Sequence, residues 1–350
     1  MTKEPLHPDE TQRGARDKRG HWRPSDLIDY APVVAWPPQP RKLAKWVIGG
    51  MGWLPWPAAC AAVAIFFWIF LTPSMATMET FAVGWIAYLL ARNLLLVLAL
   101  YGFMHFRLYI KKRQGTAFKY NPNWPSGRNP VFIGGRQTTD NMIWTIASGV
   151  PIWTAFEVLT LWAFANGIIP YVEFSEAPVY FIALFFAIPI IHELHFYLVH
   201  RLIHIPALYR FVHSVHHRNV NPGPWSGLSM HPVEHLLYFS GVFIYWIVPA
   251  NPVHAIFHLF HAAFMPAIPH SGFHELAIDD KRTVDVGGHH HYLHHKLCEC
   301  NYDGHGLLPI DKWLGTFHDG SDETEERMNK RLAERAKKQA AKKSKAKTPA

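Results

Sequence analysis

Apolar runs recur along this chain, and their lengths predict its architecture. A polar, charged N-terminal segment precedes an uninterrupted hydrophobic stretch at 53–71, and a helix that crosses a bilayer needs roughly 20 such residues. A second run covers 81–106, broken mainly by Arg92 and Asn93. A third covers 142–165 and holds Glu157, and a fourth covers 177–199. Two shorter runs, 236–248 and 252–268, read as a hairpin that spans or re-enters. Tryptophan, tyrosine and phenylalanine gather near the ends of these runs, as at membrane interfaces. The expected fold is all-α, a polytopic membrane helix bundle.

Charge gives the bundle a direction. Segments 72–78, 166–176 and 249–251 contain no lysine or arginine. Segment 107–136 contains Arg107, Lys111, Lys112, Arg113, Lys119, Arg128 and Arg136, and the N-terminal segment is also basic. The positive-inside rule then makes both termini and the 107–140 loop cytosolic, and counting spans adds 200–235 and everything after His270. The expected layout is a polar N-terminal segment (1–47), a transmembrane hairpin (48–106), a cytosolic loop (107–141), a main domain (142–320) and a charged tail (321–350). The first residues lack a signal-peptide core, so a multi-pass protein of a bacterial inner membrane is expected rather than a secreted one.

Composition agrees. Hydrophobic residues make up 49% and charged residues 17%, against about 25% charged in an ordinary soluble chain. That excludes a disordered or coiled-coil protein. The formal charge of +8 suits anionic lipid headgroups near the basic loop and tail, and no nucleic-acid partner is expected. Three cysteines, Cys60, Cys298 and Cys300, cannot form a disulfide framework, and Cys298-x-Cys300 lacks zinc-site spacing.

Histidine points to chemistry. Of 24 histidines, 20 lie between His192 and His305. Four groups stand out: His200-x3-His204, His213-x2-His216-His217, His270-x3-His274 and His291-x2-His294-His295. Residues three and four apart share a helix face, so all three imidazoles of an H-x-x-H-H box can point to one side. Neutral imidazole is the commonest metal ligand. Ten imidazoles exceed the four ligands of a structural zinc and suit two metals with open positions. His192-Glu193-Leu194-His195 is one residue short of the zinc-protease H-E-x-x-H, with Phe196 where the second histidine belongs, so a protease is excluded. Glu193 and Tyr197 precede His200 on roughly its face. His254, His258 and His261 share a face of the last apolar run, as substrate lining, proton path or interhelical bonds. His289 and His290 carry no assigned role.

The ordered boxes, from about Glu193 to Gly320, resemble the fatty acid hydroxylase/sterol desaturase superfamily of membrane di-iron oxygenases. The resemblance extends to His200-Arg201, to Ser229-Met-His231-Pro232-Val-Glu234, and to Asn301-Tyr302 followed by Asp311-Lys-Trp-Leu-Gly315-Thr. The chain departs from the family's N-Y-G and W-D-x-x-F-G-T ending: Asp303 is inserted before Gly304, Ile310 replaces Trp and Leu314 replaces Phe. The resemblance implies a cytosolic histidine-rich cap holding two iron ions through His200, His204, His213, His216, His217, His291, His294 and His295. His270 and His274 match an additional pair of the hydroxylase branch. His231 is a further ligand or, with Glu193, Tyr197 and Asn301, an outer partner of the ligands; no other catalytic residue is assigned. The implied activity is hydroxylation of a lipid acyl chain or headgroup with dioxygen, the alternative being sterol-type desaturation or C-4 methyl oxidation. No haem, dinucleotide or iron–sulfur motif is present, so electrons come from a separate ferredoxin, cytochrome or reductase. A metal-ion transporter is the remote alternative, because its ligands belong near the bilayer midplane.

Overall fold

Four of the apolar helices begin with proline, at Pro55, Pro178, Pro232 and Pro252. Its fixed φ and missing N–H suit the first turn. The computed structural model describes residues 10–48, 54–304 and 307–345. We number its principal helices α1 (Pro55–Phe70), α2 (Val83–His105), α3 (Gln137–Ala165), α4 (Pro178–Ile203), α5 (Pro232–Phe239), α6 (Pro252–Phe264), α7 (His289–Leu297) and α8 (Asp322–Lys345). The only strands among the described residues form two antiparallel hairpins, β1–β2 (Gly14–Arg16, Trp22–Pro24) and β3–β4 (Glu275–Ala277, Thr283–Asp285). The all-α expectation holds.

Among the described residues, three helical stretches are long and apolar enough to cross a membrane: Val83–Ile110, which extends α2 by a π turn, then α3 and α4. Their outer faces expose Val83, Leu95, Phe103, Val179 and Leu198, the apolar surface a lipid environment solvates. The first expected span is shorter than the sequence suggests. Its start, Trp53, lies outside the described residues. The helix itself has 16 residues, or about 24 Å of rise against a hydrocarbon core of about 30 Å. The 236–268 region forms two short pieces. α5 gives way to a 3-10 turn at Ser240–Trp246, and α6 returns with every one of its 13 residues buried. α6 is thus the central post of the bundle, packed by α1, α3 and α4.

The lysine- and arginine-free segments gather at one end. Asn166 Nδ2 donates to Glu79 O at 3.0 Å, and Ala250 N donates to Pro170 O at 2.9 Å. The basic loop folds at the other end. Tyr120 N donates to Gly272 O at 3.1 Å, His274 N donates to Phe118 O at 2.9 Å, and Trp22 N donates to Tyr120 O at 3.0 Å. The C-terminal helix closes on the same surface, through an ion pair between Arg23 and Asp322 at 2.7 Å.

Candidate metal centre

The last turn of α4 carries His200, His204 caps its C-terminus, the helical segment after it carries His213, His216 and His217, a 3-10 turn carries His270, and α7 carries His291, His294 and His295. Their ring nitrogens converge in two clusters. One holds His200, His204, His213, His217 and His294; the other holds His216, His270, His291 and His295, and within each the donor atoms lie within 4.8 Å of one another. Each H-x-x-H-H box is therefore divided, and its three imidazoles do not serve one ion. The i,i+4 pair His213/His217 enters the first cluster and His216 the second. The pair His291/His295 enters the second and His294 the first. The boxes stitch the clusters together, with the His217 and His295 rings 4.9 Å apart.

The nitrogens that converge are Nε2. In the first cluster His200 and His213 approach to 3.1 Å, and His217 and His294 to 3.0 Å. In the second, His270 lies 3.3 Å from His216, 3.1 Å from His295 and 3.0 Å from His291, and His291 lies 3.1 Å from His295. Two ligands at right angles on an ion with bonds of about 2.1 Å are roughly 3.0 Å apart. This spacing suits a metal with more than four positions.

In five of these rings the other nitrogen faces outward onto an oxygen acceptor. Nδ1 of His200 donates to Tyr302 O (2.7 Å), of His294 to Cys300 O (2.6 Å), of His270 to Pro266 O (2.7 Å) and of His216 to Ser229 O (3.4 Å). A carbonyl can only accept, so Nδ1 carries the proton and Nε2 keeps its lone pair for a metal. His213 Nδ1 meets Glu234 Oε1 at 2.8 Å, the carboxylate–histidine pairing that orients metal ligands. His217 Nδ1 faces the Cys298 thiol at 3.4 Å. Burial holds the His216 imidazole down at about 4, and burial and then neighbouring imidazoles hold His213, His217, His291, His294 and His295 well below the usual range. These rings are neutral near pH 7, the form that ligates.

Nine of the ten expected ligands meet in this way. His274 does not. Gly272 has a φ of +84°, so no helix joins His270 to His274, and their i,i+4 spacing does not give a shared face. A Cβ at Gly272 would lie 2.4 Å from the Tyr109 hydroxyl, which explains the glycine. His274 instead meets the Tyr120 hydroxyl at 3.1 Å and the Trp22 ring at 5.1 Å. His231 also stands apart, its Nδ1 accepting from Val233 N at 3.2 Å to cap α5. Glu193 accepts from Leu308 N at 2.9 Å. Tyr197 packs with Tyr302 and Ile310. Asn301 bonds the His290 and His318 backbones. His254 caps α6 through Asn251 N and bonds Phe181 O, and His258 and His261 pack edge-on to His192. Glu234 has no role assigned from its motif, because its spacing of 21 residues from His213 carries no local signal.

A cavity opens onto both clusters. His200 and His213 of the first and His216, His270 and His291 of the second line its floor, while Phe196, Met230, Tyr238 and Met265 form apolar walls and Glu193, Glu234 and His192 are polar. A further buried group, His290 with Asp303 and Asp311, lies apart from the clusters. Burial and then the charge of Asp303 push the Asp311 carboxyl up to about 6.

Residues 185–316 match the model of the fatty acid hydroxylase family. Methylsterol monooxygenase 1 of Gallus gallus is 31% identical over 139 residues, 38% of this chain and 46% of that protein. A Delta(7)-sterol 5(6)-desaturase of Gibberella zeae is 29% identical over 129 residues, 35% and 38% of the two chains. A fatty acid hydroxylase of Mycosarcoma maydis is 29% identical over 140 residues, 39% and 34%. The matched region spans less than half the length of each of these relatives. No solved structure matches.

Proposed function

We propose that this chain, whose residues 185–316 belong to the fatty acid hydroxylase/sterol desaturase superfamily, is a membrane-bound di-iron enzyme that hydroxylates a lipid. The observation that carries the proposal is the cavity that meets both histidine clusters at its floor and has apolar walls. Bound iron would supply reductive activation of dioxygen and removal of hydrogen from an unactivated C–H bond.

The residues divide the work. His200, His204, His213, His217 and His294 hold one ion, and His216, His270, His291 and His295 the other. The Tyr302, Cys300, Pro266 and Ser229 carbonyls and the Glu234 carboxylate fix the imidazoles, so ligation costs little reorganisation. Phe196, Met230, Tyr238 and Met265 exclude water and align an alkyl chain over the floor. Glu193 and Glu234 are the cavity's carboxyl groups for moving protons. Electrons come from a separate carrier. The metal-bearing end faces the cytosol, in keeping with the basic residues of 107–136 and the basic tail, and the catalytic domain is 142–320.

Sterol-type desaturation or methyl oxidation is the second reading, favoured by the names of the sterol-modifying relatives. Lipid mass spectrometry of cells with and without the chain decides between them. A lipid class heavier by one oxygen is expected. A product that loses two hydrogens and gains no oxygen would establish desaturation, and an unchanged lipid profile in oxygenated cells would count against both.

A further inference from the structure

One buried set of oxygen and nitrogen donors lies outside both histidine clusters. His290 Nε2 faces Asp303 Oδ1 at 3.3 Å, and donor atoms of His290, Asp303 and Asp311 lie within 4.8 Å of one another. His290 is 5% exposed, Asp303 and Asp311 0%. Neither ring nitrogen of His290 makes a hydrogen bond, although buried polar groups almost always do. His290 neighbours His291 on α7, yet its ring meets the carboxylates instead of the second cluster. Asp303 is the residue inserted between Tyr302 and Gly304, where the superfamily's pattern reads N-Y-G, so its carboxylate is here through a departure from that pattern. Asp311 is held in place: its Oδ2 accepts from Asp303 N at 2.8 Å and its Oδ1 from the Thr316 hydroxyl.

We propose that His290, Asp303 and Asp311 form a third metal site, for a divalent ion such as zinc or manganese, separate from the two histidine clusters. Donors bound tetrahedrally at about 2.0–2.1 Å are roughly 3.4 Å apart, close to the separation of His290 Nε2 and Asp303 Oδ1. Two carboxylates balance a divalent charge, and without a cation two buried carboxylates side by side repel one another. Mixed imidazole and carboxylate ligands suit zinc and manganese. The site is structural. Its ion ties α7 to the segment after it, whose Tyr302 carbonyl accepts from His200 and whose Leu308 N donates to Glu193. Gly304 of that segment lines the cavity, so the ion braces the wall beside the first cluster without lying in the reaction path. The proposal does not depend on the reaction.

Metal analysis of the full chain, purified in detergent, tests it. Wild type is expected to hold three equivalents of divalent metal. Asp303→Asn and His290→Gln should each hold two, and so should deletion of Asp303, which restores the Asn-Tyr-Gly spacing. Zinc titration against a chelator should show one class of site weakened at least tenfold in these variants. Two equivalents in wild type and in every variant would overturn the third site and leave the clusters standing. A single equivalent that disappears in Asp303→Asn would support the third site and refute the two-cluster reading. Because His290→Gln leaves both carboxylates in place, it reads the third equivalent even where Asp303→Asn disturbs folding.

Discussion

Glu234 and Gly272 shape the histidine clusters from outside them: the Glu234 carboxyl meets His213 Nδ1 at 2.8 Å, and the left-handed Gly272 turns His274 away from His270. The nine histidines that converge were legible, because imidazoles at three- and four-residue spacing form a local pattern. His274 fits the same pattern, but the left-handed Gly272 between it and His270 breaks the face, and a spacing rule does not see φ. Glu234 reaches His213 across folded chain. We predict that Glu234→Ala weakens metal binding by about 10–100-fold and that His274→Ala leaves it within twofold of wild type. His270→Ala, by contrast, should cost the second cluster its ion. Chelator competition on purified protein reads all three. Lys119 makes a pH prediction. It is wholly buried and donates to Asn121 O, Asn123 O and Asn221 Oδ1 at 2.8, 2.9 and 3.1 Å, while burial lowers its pKa to about 7 from the usual 10.5. Between these values the unfolded chain binds more protons than the folded one, so stability rises with pH across that window and is lost as pH falls toward 7. The thermal midpoint in detergent should therefore climb from pH 7 to 9, and Lys119→Met should flatten the climb.

At the scale of elements, the long apolar helices were legible and their partners were not. Arg92, Asn93 and Glu157 were visible as polar residues inside hydrophobic runs. The structure joins them: Arg92 pairs with Glu157, Asn93 Nδ2 donates to Glu157 Oε2 at 2.8 Å, and the group locks α2 to α3. Residues more than sixty apart leave no periodic trace of such a pairing. Removing one partner leaves the other charge buried, a loss of about 3–5 kcal/mol, whereas Glu157→Gln keeps the hydrogen-bonding shape and should cost less. Detergent-unfolding midpoints of Glu157→Ala and Glu157→Gln measure the difference; midpoints equal to that of wild type would mean that the pair holds nothing together. α1 and α6 were harder to read, since a continuous apolar run does not say where a helix ends. α6 is buried on every side, its three histidines included, because it is surrounded by protein.

At the scale of the whole molecule, sorting lysine and arginine by loop separated the segments that meet at one end from those around the metal centre. The basic loop was expected to lie against anionic lipid headgroups. Part of its charge is used within the protein: Lys119 is buried, Arg107 bonds the Ala277 carbonyl and Lys112 lies 4.2 Å over the Trp124 ring. That leaves a smaller outward face, Lys111, Arg113 and Arg128 among it. Tags at both termini should be shielded from an impermeant label in intact cells, and labelling of either one would reverse the orientation or break the topology.

Two histidine clusters line one cavity with apolar walls, and the reaction proposed for them is an oxygen-dependent oxidation. Single turnover of the iron-loaded chain with membrane lipid, a reduced carrier and labelled dioxygen tests it most directly. One labelled oxygen atom is expected in the lipid product, and none when His216→Ala or His294→Ala replaces the wild type. The same product at the same rate without dioxygen, or from a chain stripped of metal, would contradict it.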